Sequence, residues 1–345
     1  MKNGMLLFIA SIALSASPQQ PPPGAPDTSP HTTQFIPVEK NVKLEVLDWG
    51  GTGQPLIFLA GMGNTAHNFD TFAPKFTAHY HVYGITRRGF GASSKPAPAN
   101  GNYSADHLGD DVLAVMEALK LDRPVLVGHS FAGEEMSSIG SRFPQKVAGL
   151  IYLEAAYDFA YHDPARPNMG LEMTDLKRRI EQVEAGGVDE KSYLLDLEAR
   201  VSKFEKTLHD SNVDIASMPP IPPRSPIIAA LTYGGQKYTK IPVPILTVYA
   251  CPHNWDRAFQ NDPAMKAKRL AADKINCTAV ADAFAAGVPS AHVVRVPNAD
   301  HYVYLSNETE VVREMNDFLA KLDQQPTTPR SSASAGPSSP AARPQ

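Results

Sequence analysis

The chain has little cysteine and no excess of basic charge. Its 345 residues include two cysteines, and 32 Lys and Arg stand against 36 Asp and Glu, which gives a net charge of −4. No run of basic residues is longer than three, so nothing suggests a phosphate backbone or an anionic lipid surface as partner. No spacing of Cys and His resembles a zinc site. We therefore expect no nucleic-acid partner and no metal.

The two cysteines, Cys251 and Cys277, leave two interpretations open. In an oxidising compartment they would form one disulfide that closes a loop of about 26 residues, worth roughly 3 kcal/mol by the chain-entropy estimate. Two buried free thiols are the alternative. The spacing alone does not decide between them.

The N-terminal apolar stretch, Met5–Leu14, is too short to span a membrane. It has ten residues, whereas a helix across a bilayer core needs about 20. The basic Lys2 precedes it and the small residues Ser15, Ala16 and Ser17 follow it, a pattern typical of a secretory signal peptide. We predict a signal peptide over residues 1–17, a secreted or periplasmic location and no stable membrane insertion.

Proline is concentrated near both ends of the chain. Seven of the 31 prolines lie within residues 18–37 and five lie within residues 326–344. Residues 18–35 and 323–345 are also rich in Ser, Thr and Gln and have almost no large apolar side chains, so we predict a disordered linker and a disordered tail. Residues 36–322 remain to form one large folded domain.

Short apolar runs alternate with helical stretches along the folded part. Buried strands joined by helices imply an α/β fold, with a mostly parallel central sheet and helices on both faces. Ligands of such sheets bind at the carboxyl ends of the strands, so we expect the site in the loops that follow them. The predicted strands are Val42–Leu47, Pro55–Ala60, His81–Thr86, Pro124–Gly128, Val147–Glu154, Val243–Ala250 and Ala291–Val296.

The alternation of strands and helices is interrupted between residues 158 and 240. Two charged segments there, Leu171–Ala185 and Asp189–His209, are predicted to be helical, and a proline-rich run follows at residues 219–223. We predict that residues 158–240 form a helical cap inserted over the sheet. A second helix-rich excursion contains the alanine-rich stretch Ala264–Ala286, which has few helix breakers.

The sharpest chemical signal is a strand, a turn with a central serine and then a helix, in Val125-Leu-Val-Gly-His-Ser-Phe-Ala-Gly133. This segment resembles the nucleophile elbow of the α/β-hydrolase fold family, where small residues flank the serine because neighbouring backbone comes close. Ala132 stands where the family has the second Gly of G-x-S-x-G, and alanine is small enough to be tolerated. The resemblance covers residues 40–322 and implies that Ser130 is the nucleophile.

Two further segments extend this resemblance. Phe58-Leu-Ala-Gly-Met-Gly63 ends an earlier strand where the family carries the turn of its oxyanion hole, so the backbone N–H groups of Met62 and Phe131 are implied as oxyanion donors. Thr86–Ser93 resembles the family's D-x-R-G-x-G-x-S segment, which is a structural turn without a catalytic role. For Glu134 and Glu135, on the helix after the nucleophile, we expect a structural or solvated role.

The resemblance places the catalytic base late in the chain, after the last strand. His301 lies there, 171 residues after Ser130 and just before the final helix, which matches the family order of serine, acid and histidine. Serine is a weak nucleophile at neutral pH and needs such a base. The other histidines near motif residues, His129, His253 and His292, are expected to be structural.

The triad acid has two main candidates. Family members most often take it from the loop after the strand predicted at Val243–Ala250, and Asp256 is the candidate in that loop. A minority take it from the end of the preceding strand, where Glu154 lies. We consider Glu154 first and Asp256 second, and Asp158, Asp262 and Asp300 are the remaining candidates.

Together these features predict a secreted serine hydrolase that needs no cofactor. Its expected partner is a small or medium carboxylic ester or lactone, cleaved through an acyl-enzyme by Ser130 and His301. An amidase, an aminopeptidase-like enzyme or a carbon–carbon bond hydrolase on the same triad is the alternative. A ligand-binding member of the fold without catalysis is a second alternative, because fold does not fix function.

Overall fold

The computed structural model describes residues 29–165, 168–184, 186, 189–210 and 223–324. The signal peptide predicted over residues 1–17, the proline run over 219–222 and the tail beyond residue 324 lie outside the described residues. The strands are β1 (Thr32–Glu39), β2 (Val42–Gly50), β3 (Pro55–Leu59), β4 (His81–Ile85), β5 (Val125–His129), β6 (Gly149–Leu153), β7 (Ile245–Ala250) and β8 (Ala291–Val296).

The helices of the described residues connect the strands from β3 onward or follow β8. Three short 3-10 helices, Ala66–Phe69, Ala73–Phe76 and Pro144–Lys146, accompany them. The α-helices are α1 (Ala105–Ala118), α2 (Ala132–Arg142), α3 (Met169–Glu184), α4 (Glu190–Asp210), α5 (Pro226–Thr232), α6 (Pro263–Gly287), α7 (Val303–Ser306) and α8 (Glu308–Asp323). None of the described helices is long and apolar enough to cross a bilayer.

The strands form one sheet in the order β1-β2-β4-β3-β5-β6-β7-β8. The two pairings that involve β2 are antiparallel, and β4, β3, β5, β6, β7 and β8 pair in parallel along the rest of the sheet. Every residue of β5, β6 and β7 is buried, as expected for parallel strands covered on both faces. The predicted α/β architecture is confirmed.

Alternate residues of the central strands pack into two separate hydrophobic cores, one on each face of the sheet. Leu126 packs on one face of the sheet with α1, α2 and α6, whereas Val125 and Val127 pack on the other face with α7, α8 and the first two 3-10 helices. This alternation follows from the two-residue period of a strand. Helices therefore cover both faces of the sheet. The ends of the strands, which lie between the two helical layers, are the remaining place for a functional site.

The predicted linker over residues 18–35 ends earlier than expected. Thr32 already pairs with Asp48, and β1 continues this antiparallel pairing along β2. Most of β1 is exposed, because it is an edge strand with a single buried residue, Ile36. Backbone hydrogen bonds hold such a strand, so its polar start gave no apolar signal in the sequence.

Helices α3 and α4 lie where the sequence predicted helical segments, and ion pairs connect them. Lys203 of α4 pairs with Glu172 of α3 at 2.9 Å, and Lys237 pairs with Glu172 and with Asp175 at 3.1 and 2.8 Å. The alanine-rich stretch forms α6, as predicted. Cys251 and Cys277 form a disulfide, which joins the end of β7 to α6.

Candidate active site

Ser130 occupies a strained turn between β5 and α2. It is the first residue after β5, and its backbone has φ of 52°, a left-handed conformation that is rare for residues other than glycine. Its N–H donates to the Leu153 carbonyl at 3.1 Å, and its carbonyl accepts from the Gly133 N–H at 3.0 Å. The turn aims the serine side chain away from the sheet, as in a nucleophile elbow.

Small residues are required on both sides of this turn. A Cβ on Gly133 would lie 2.0 Å from the Ala155 carbonyl oxygen, and a Cβ on Gly128 would lie 2.7 Å from the Met136 methyl carbon. Ala132 is fully buried between these positions, and its methyl group fits. The departure from the family motif at Ala132 is therefore accommodated because the close backbone contact occurs one residue later.

His301 lies between Ser130 and Glu154. Its Nε2 is 3.0 Å from the Ser130 Oγ, and its Nδ1 is 3.2 Å from the Glu154 Oε2. The sequence placed all three residues as candidates, and the fold brings them together from the ends of β5, β6 and β8. Since both ring nitrogens of His301 are taken, Asp158, Asp262 and Asp300 are not needed as its partner.

Asp256, the second candidate for the acid, does not join this group. Its side chain is 63% exposed and forms an ion pair with Lys266, while its backbone N–H donates to the Asn254 side chain at 2.9 Å. The loop after β7 carries Asp256 outward, and it presents His253 inward instead. The sequence could not separate these orientations because both residues belong to the same short loop.

Glu154 is completely buried and accepts four hydrogen bonds. Its Oε1 accepts from the Ala250 N–H at 2.6 Å, and its Oε2 accepts from the Tyr157 hydroxyl at 2.7 Å and from His253 Nε2 at 2.8 Å, in addition to His301. Burial by itself would raise the pKa of Glu154, but the nearby His253 and His301 outweigh burial and hold it below its usual range. The carboxylate is therefore ionised.

His129 supports the backbone of His301. Its Nε2–H donates to the His301 carbonyl at 3.0 Å, and the two rings lie 4.7 Å apart. Complete burial, reinforced by the neighbouring His301, lowers the pKa of His129 to about 3, so its ring is neutral and can donate from only one nitrogen. The expected structural role of His129 thus consists of fixing the chain at His301.

The loop after β3 presents Met62 at a tight turn. The Asn64 N–H donates to the Gly61 carbonyl at 3.2 Å, and Gly63 has φ of 81°, which suits glycine at the third position of this turn. Within the described part of the chain, the backbone N–H groups of Met62 and Phe131 donate to no protein acceptor. Both donors are available to a substrate oxygen.

Arg87 holds the loop after β3 through hydrogen bonds to its backbone. It makes two hydrogen bonds to Glu135, at 2.7 and 3.0 Å, and another to the Ala60 carbonyl at 2.8 Å. Arg87 also donates to the Gly61 carbonyl at 3.4 Å, so the Thr86–Ser93 turn holds the two backbone carbonyls that come before Met62. Glu134 and Glu135 are buried rather than solvated, and burial raises the pKa of Glu134 well above its usual value.

His253 and Asp273 form a second layer behind Glu154 that the sequence did not reveal. His253 Nδ1 lies 3.1 Å from Asp273 Oδ1, while its Nε2 contacts Glu154. Asp273 sits within an alanine-rich helix 20 residues further along, so no local pattern marks it. The one available signal for this contact was a disulfide between Cys251 and Cys277. Cys251 is close to His253 in the chain and Cys277 is close to Asp273, so their pairing would bring the two side chains together.

Among the described residues, two clusters bring possible metal ligands within 4.8 Å of one another. The first is Glu154, His253 and His301, where His253 faces a carboxylate with each ring nitrogen. The second is His31, His67 and Asp70, where hydrogen bonds from His67 to Asp70 and Glu45 raise the pKa of His67 to about 10. In both clusters a histidine faces carboxylate oxygens, as in an ion pair.

Comparison with known proteins agrees with this fold. Residues 54–218 match the family model of the alpha/beta hydrolase fold. The chain is 30% identical over 135 residues to 2-hydroxymuconate semialdehyde hydrolase of Pseudomonas sp. (strain CF600), covering 38% of this chain and 46% of that protein. It is 34% identical over 107 residues to fluoroacetate dehalogenase of Burkholderia sp, covering 30% and 35% respectively. The chain thus spans less than half the length of these curated relatives.

Solved structures show the same architecture at low sequence identity. An N-acyl homoserine lactone degrading enzyme aligns with a TM-score of 0.52 and 21% identity, covering 83% of this chain and 100% of that chain. A thermophilic esterase from Thermogutta terrifontis aligns with a TM-score of 0.51 and 18% identity, covering 84% and 99%. The same sheet thus extends on both sides of the matched segment, and the chain has the α/β-hydrolase fold.

Proposed function

We propose that this protein is a serine hydrolase that cleaves a small or medium carboxylic ester or lactone through an acyl-enzyme. The observation that carries the proposal is the chain of contacts from Ser130 Oγ through His301 to the ionised Glu154, with distances of 3.0 and 3.2 Å. A nucleophile, a base and an orienting carboxylate in this order form the machinery of acyl transfer.

In the first half of the reaction, Ser130 Oγ attacks the substrate carbonyl while His301 Nε2 takes its proton. The tetrahedral intermediate places its negative oxygen against the N–H groups of Met62 and Phe131. Glu154 stabilises the imidazolium of His301 and fixes its orientation. When the intermediate collapses, His301 protonates the leaving alkoxide, so an alcohol departs and the acyl group remains on Ser130.

In the second half, water replaces the alcohol. His301 Nε2 removes a proton from the water, and the resulting hydroxide attacks the acyl carbonyl of the Ser130 ester. The same oxyanion donors hold the second intermediate. Its collapse releases the carboxylic acid and returns the proton from His301 to Ser130 Oγ, which restores the free enzyme.

Serine at the elbow favours acyl transfer over the chemistry of some relatives. By family resemblance, the dehalogenase and epoxide-hydrolase branches use an aspartate at the position of Ser130. A hydroxyl there forms an ester with an acyl group and has no carboxylate oxygen for displacement at a saturated carbon. We therefore do not extend the activity of fluoroacetate dehalogenase to this chain, although the two sequences are similar.

The substrate size is proposed from an apolar cluster that connects the oxyanion loop to the inserted segment. Phe131 is buried with Tyr103 and with Leu231 of α5, and Met62 packs at the edge of this cluster. Side chains from the insertion therefore crowd one side of the nucleophile. Such an enclosure suits a small or medium acyl or alcohol group better than a polymer.

A carbon–carbon bond hydrolase is the second candidate. It is favoured by the 30% identity over 135 residues to 2-hydroxymuconate semialdehyde hydrolase, and the same serine and histidine would serve it. The two candidates differ in the substrate that is turned over, so parallel assays with an ester and with a vinylogous 1,5-diketone separate them.

We also propose that the protein is exported. The disulfide between Cys251 and Cys277 supports this proposal, because disulfides persist in oxidising compartments and are rare in the cytosol. Fractionation of cells that produce the full chain, followed by mass spectrometry of the protein, tests it. Intact protein in the cytosol with both thiols free would refute export.

The hydrolase proposal is tested with p-nitrophenyl esters from acetate to decanoate. Ser130→Ala and Glu154→Gln should each lower kcat by about 10⁴-fold, the scale expected for losing a triad member. Asp256→Asn is the matched control and should retain wild-type activity, because this exposed carboxylate pairs with Lys266. A wild-type protein that hydrolyses no ester and does not react with a fluorophosphonate would overturn the proposal and favour a binding role.

A further inference from the structure

A histidine and an aspartate that the reaction described above does not use stand directly behind Glu154. His253 Nε2 lies 2.8 Å from Glu154 Oε2, and His253 Nδ1 lies 3.1 and 3.2 Å from the two oxygens of Asp273. The contacts thus continue from Ser130 through His301, Glu154 and His253 to Asp273. Five side chains form one line of hydrogen bonds that leads from the nucleophile into the protein.

Asp273 is held in place by hydrogen bonds from the loop after β7. It is almost fully buried, and it accepts hydrogen bonds from the His253 backbone N–H at 2.6 Å and from Trp255 Nε1 at 3.2 Å, in addition to the His253 ring. The backbone N–H and the indole N–H can only donate, so Asp273 accepts from both of them.

Both ring nitrogens of His253 face a carboxylate oxygen in this arrangement. A protonated imidazole can donate from both nitrogens at once, so the geometry suits the charged ring. Burial by itself would lower the pKa of His253, but Glu154 and Asp273 outweigh burial and raise it to about 10. The ring is therefore an imidazolium held between two negative groups.

We propose that His253 is a positioning residue of the reaction, whose imidazolium, anchored by Asp273, fixes Glu154 as the ionised carboxylate that orients His301. This inference rests on the proposed function. A carboxylate with no exposed surface is costly to keep charged unless a positive group compensates it. His253 supplies that charge permanently, whereas His301 carries a positive charge only while the reaction proceeds.

The disulfide supports the same arrangement. Cys251 precedes His253 by two residues, and Cys277 lies one turn after Asp273 on α6. The covalent bond therefore fastens the loop that carries the histidine to the helix that carries its anchor. The whole second layer is built from residues 251–277, and its histidine contacts the same Glu154 oxygen, Oε2, as His301 does.

The proposal predicts a change in pH dependence as well as in rate. The titratable and charged groups around His253 are Glu154 from the end of β6, Asp273 and the nearby Arg269 from α6, and, through Glu154, Tyr157 and His301. Removing the positive charge of His253 allows Glu154 to bind a proton at higher pH. Removing the negative charge of Asp273 allows His253 to lose its proton at lower pH.

The experiment compares His253→Gln and Asp273→Asn with the wild type. Each should lower kcat for a p-nitrophenyl ester about 10- to 100-fold, the range for losing a hydrogen bond between charged groups, and leave KM within about twofold. The acid limb of kcat/KM should move upward by about one pH unit in His253→Gln. The alkaline limb should move downward in Asp273→Asn.

Matched control variants are available at exposed residues of β8 and α6. His292→Gln replaces an exposed histidine of β8 that pairs with Glu314, and Asp282→Asn replaces an exposed aspartate of α6 that pairs with Arg295. Both should retain the wild-type rate and pH profile. Thermal unfolding of all four variants checks the fold, and Asp273→Asn, which keeps the shape of the side chain, tests the same proposal if His253→Gln does not fold.

The rate of fluorophosphonate labelling at Ser130 separates this inference from the proposed function. Labelling should slow in His253→Gln by the same factor as kcat, and it requires no knowledge of the substrate. Folded variants with the wild-type labelling rate, or with slower labelling but unchanged pH limbs, would overturn the role of His253 and leave the hydrolase proposal standing. A wild-type protein that does not label at all would overturn both.

Discussion

Ser130 and Glu154 share a backbone conformation but not an environment. Both are the first residue after a central strand, and both have φ of 52°. Among the described residues, Ser130 contacts one side chain, His301, whereas Glu154 is fully enclosed and accepts four hydrogen bonds. Under the proposed function, the substrate is the further partner of Ser130. The protein itself supplies every hydrogen-bond partner of Glu154. Its charge is thereby kept fixed, which matters because a change in that charge would alter His301.

The largest expected effect is a difference in the free energy of unfolding between variants at these two residues. Glu154→Gln should lower the free energy of unfolding by about 3 to 5 kcal/mol, since it leaves the buried imidazolium of His253 facing a neutral amide. Ser130→Ala removes one partially exposed hydroxyl and should change the free energy of unfolding by less than about 0.5 kcal/mol. Urea denaturation of both variants measures the difference. Equal values would show that the enclosure of Glu154 adds no stability.

A smaller effect is expected from the disulfide, which lies only on the acid side of the site. The double variant Cys251→Ser with Cys277→Ser should lower the free energy of unfolding by about 3 kcal/mol. Because the bond holds the His253 loop to α6, the variant should also label more slowly with a fluorophosphonate. Wild-type protein treated with a reductant provides the comparison, and an unchanged unfolding midpoint in both would contradict the prediction.

The smallest effect is a pH dependence of stability that comes from the same enclosure. His253 has its pKa raised from 6.5 to about 10, so its contribution is complete below pH 6.5 and is lost as the pH rises toward about 10. Glu154 has its pKa lowered from 4.5, so its contribution is complete above pH 4.5 and is lost as the pH falls through the lowered value.

The measurement for this last prediction is the unfolding midpoint of the wild type and of His253→Gln across this range. The two proteins should differ most between about pH 5 and about pH 6.5, and the difference should shrink toward about pH 10. His292→Gln is the control and should follow the wild type at every pH. A difference that stays constant with pH would mean that His253 contributes packing but no charge.

The nucleophile side of the site was readable in the sequence because its constraints are local. The elbow needs Gly128, Ser130 and Gly133 at fixed spacing, since a Cβ at either glycine would collide with neighbouring atoms. The position of His301 after the last strand also follows from chain order. The strands β5, β6 and β7 were predicted to within two residues at each end, because they are continuous buried runs.

The acid side could be predicted only in part. Glu154 and Asp256 both followed strand ends, and nothing local indicated that one carboxylate would be buried and the other 63% exposed. Asp273 gave no signal, because a single aspartate within an alanine-rich helix is usually solvated. Likewise, the start of β1 at Thr32 escaped notice because an edge strand is held by backbone bonds rather than by apolar side chains.

The sequence by itself determined the parallel sheet, its helices and the serine elbow, because hydrophobic period and backbone sterics act between residues close together in the chain. Only the tertiary structure decided the charge state of the site. Glu154, His253 and Asp273 come from three separate elements, and their pKa values depend on burial and on distances of about 3 Å that exist only once those elements have packed. Charged groups that meet in this way have no characteristic spacing in the sequence, so no local pattern predicts them.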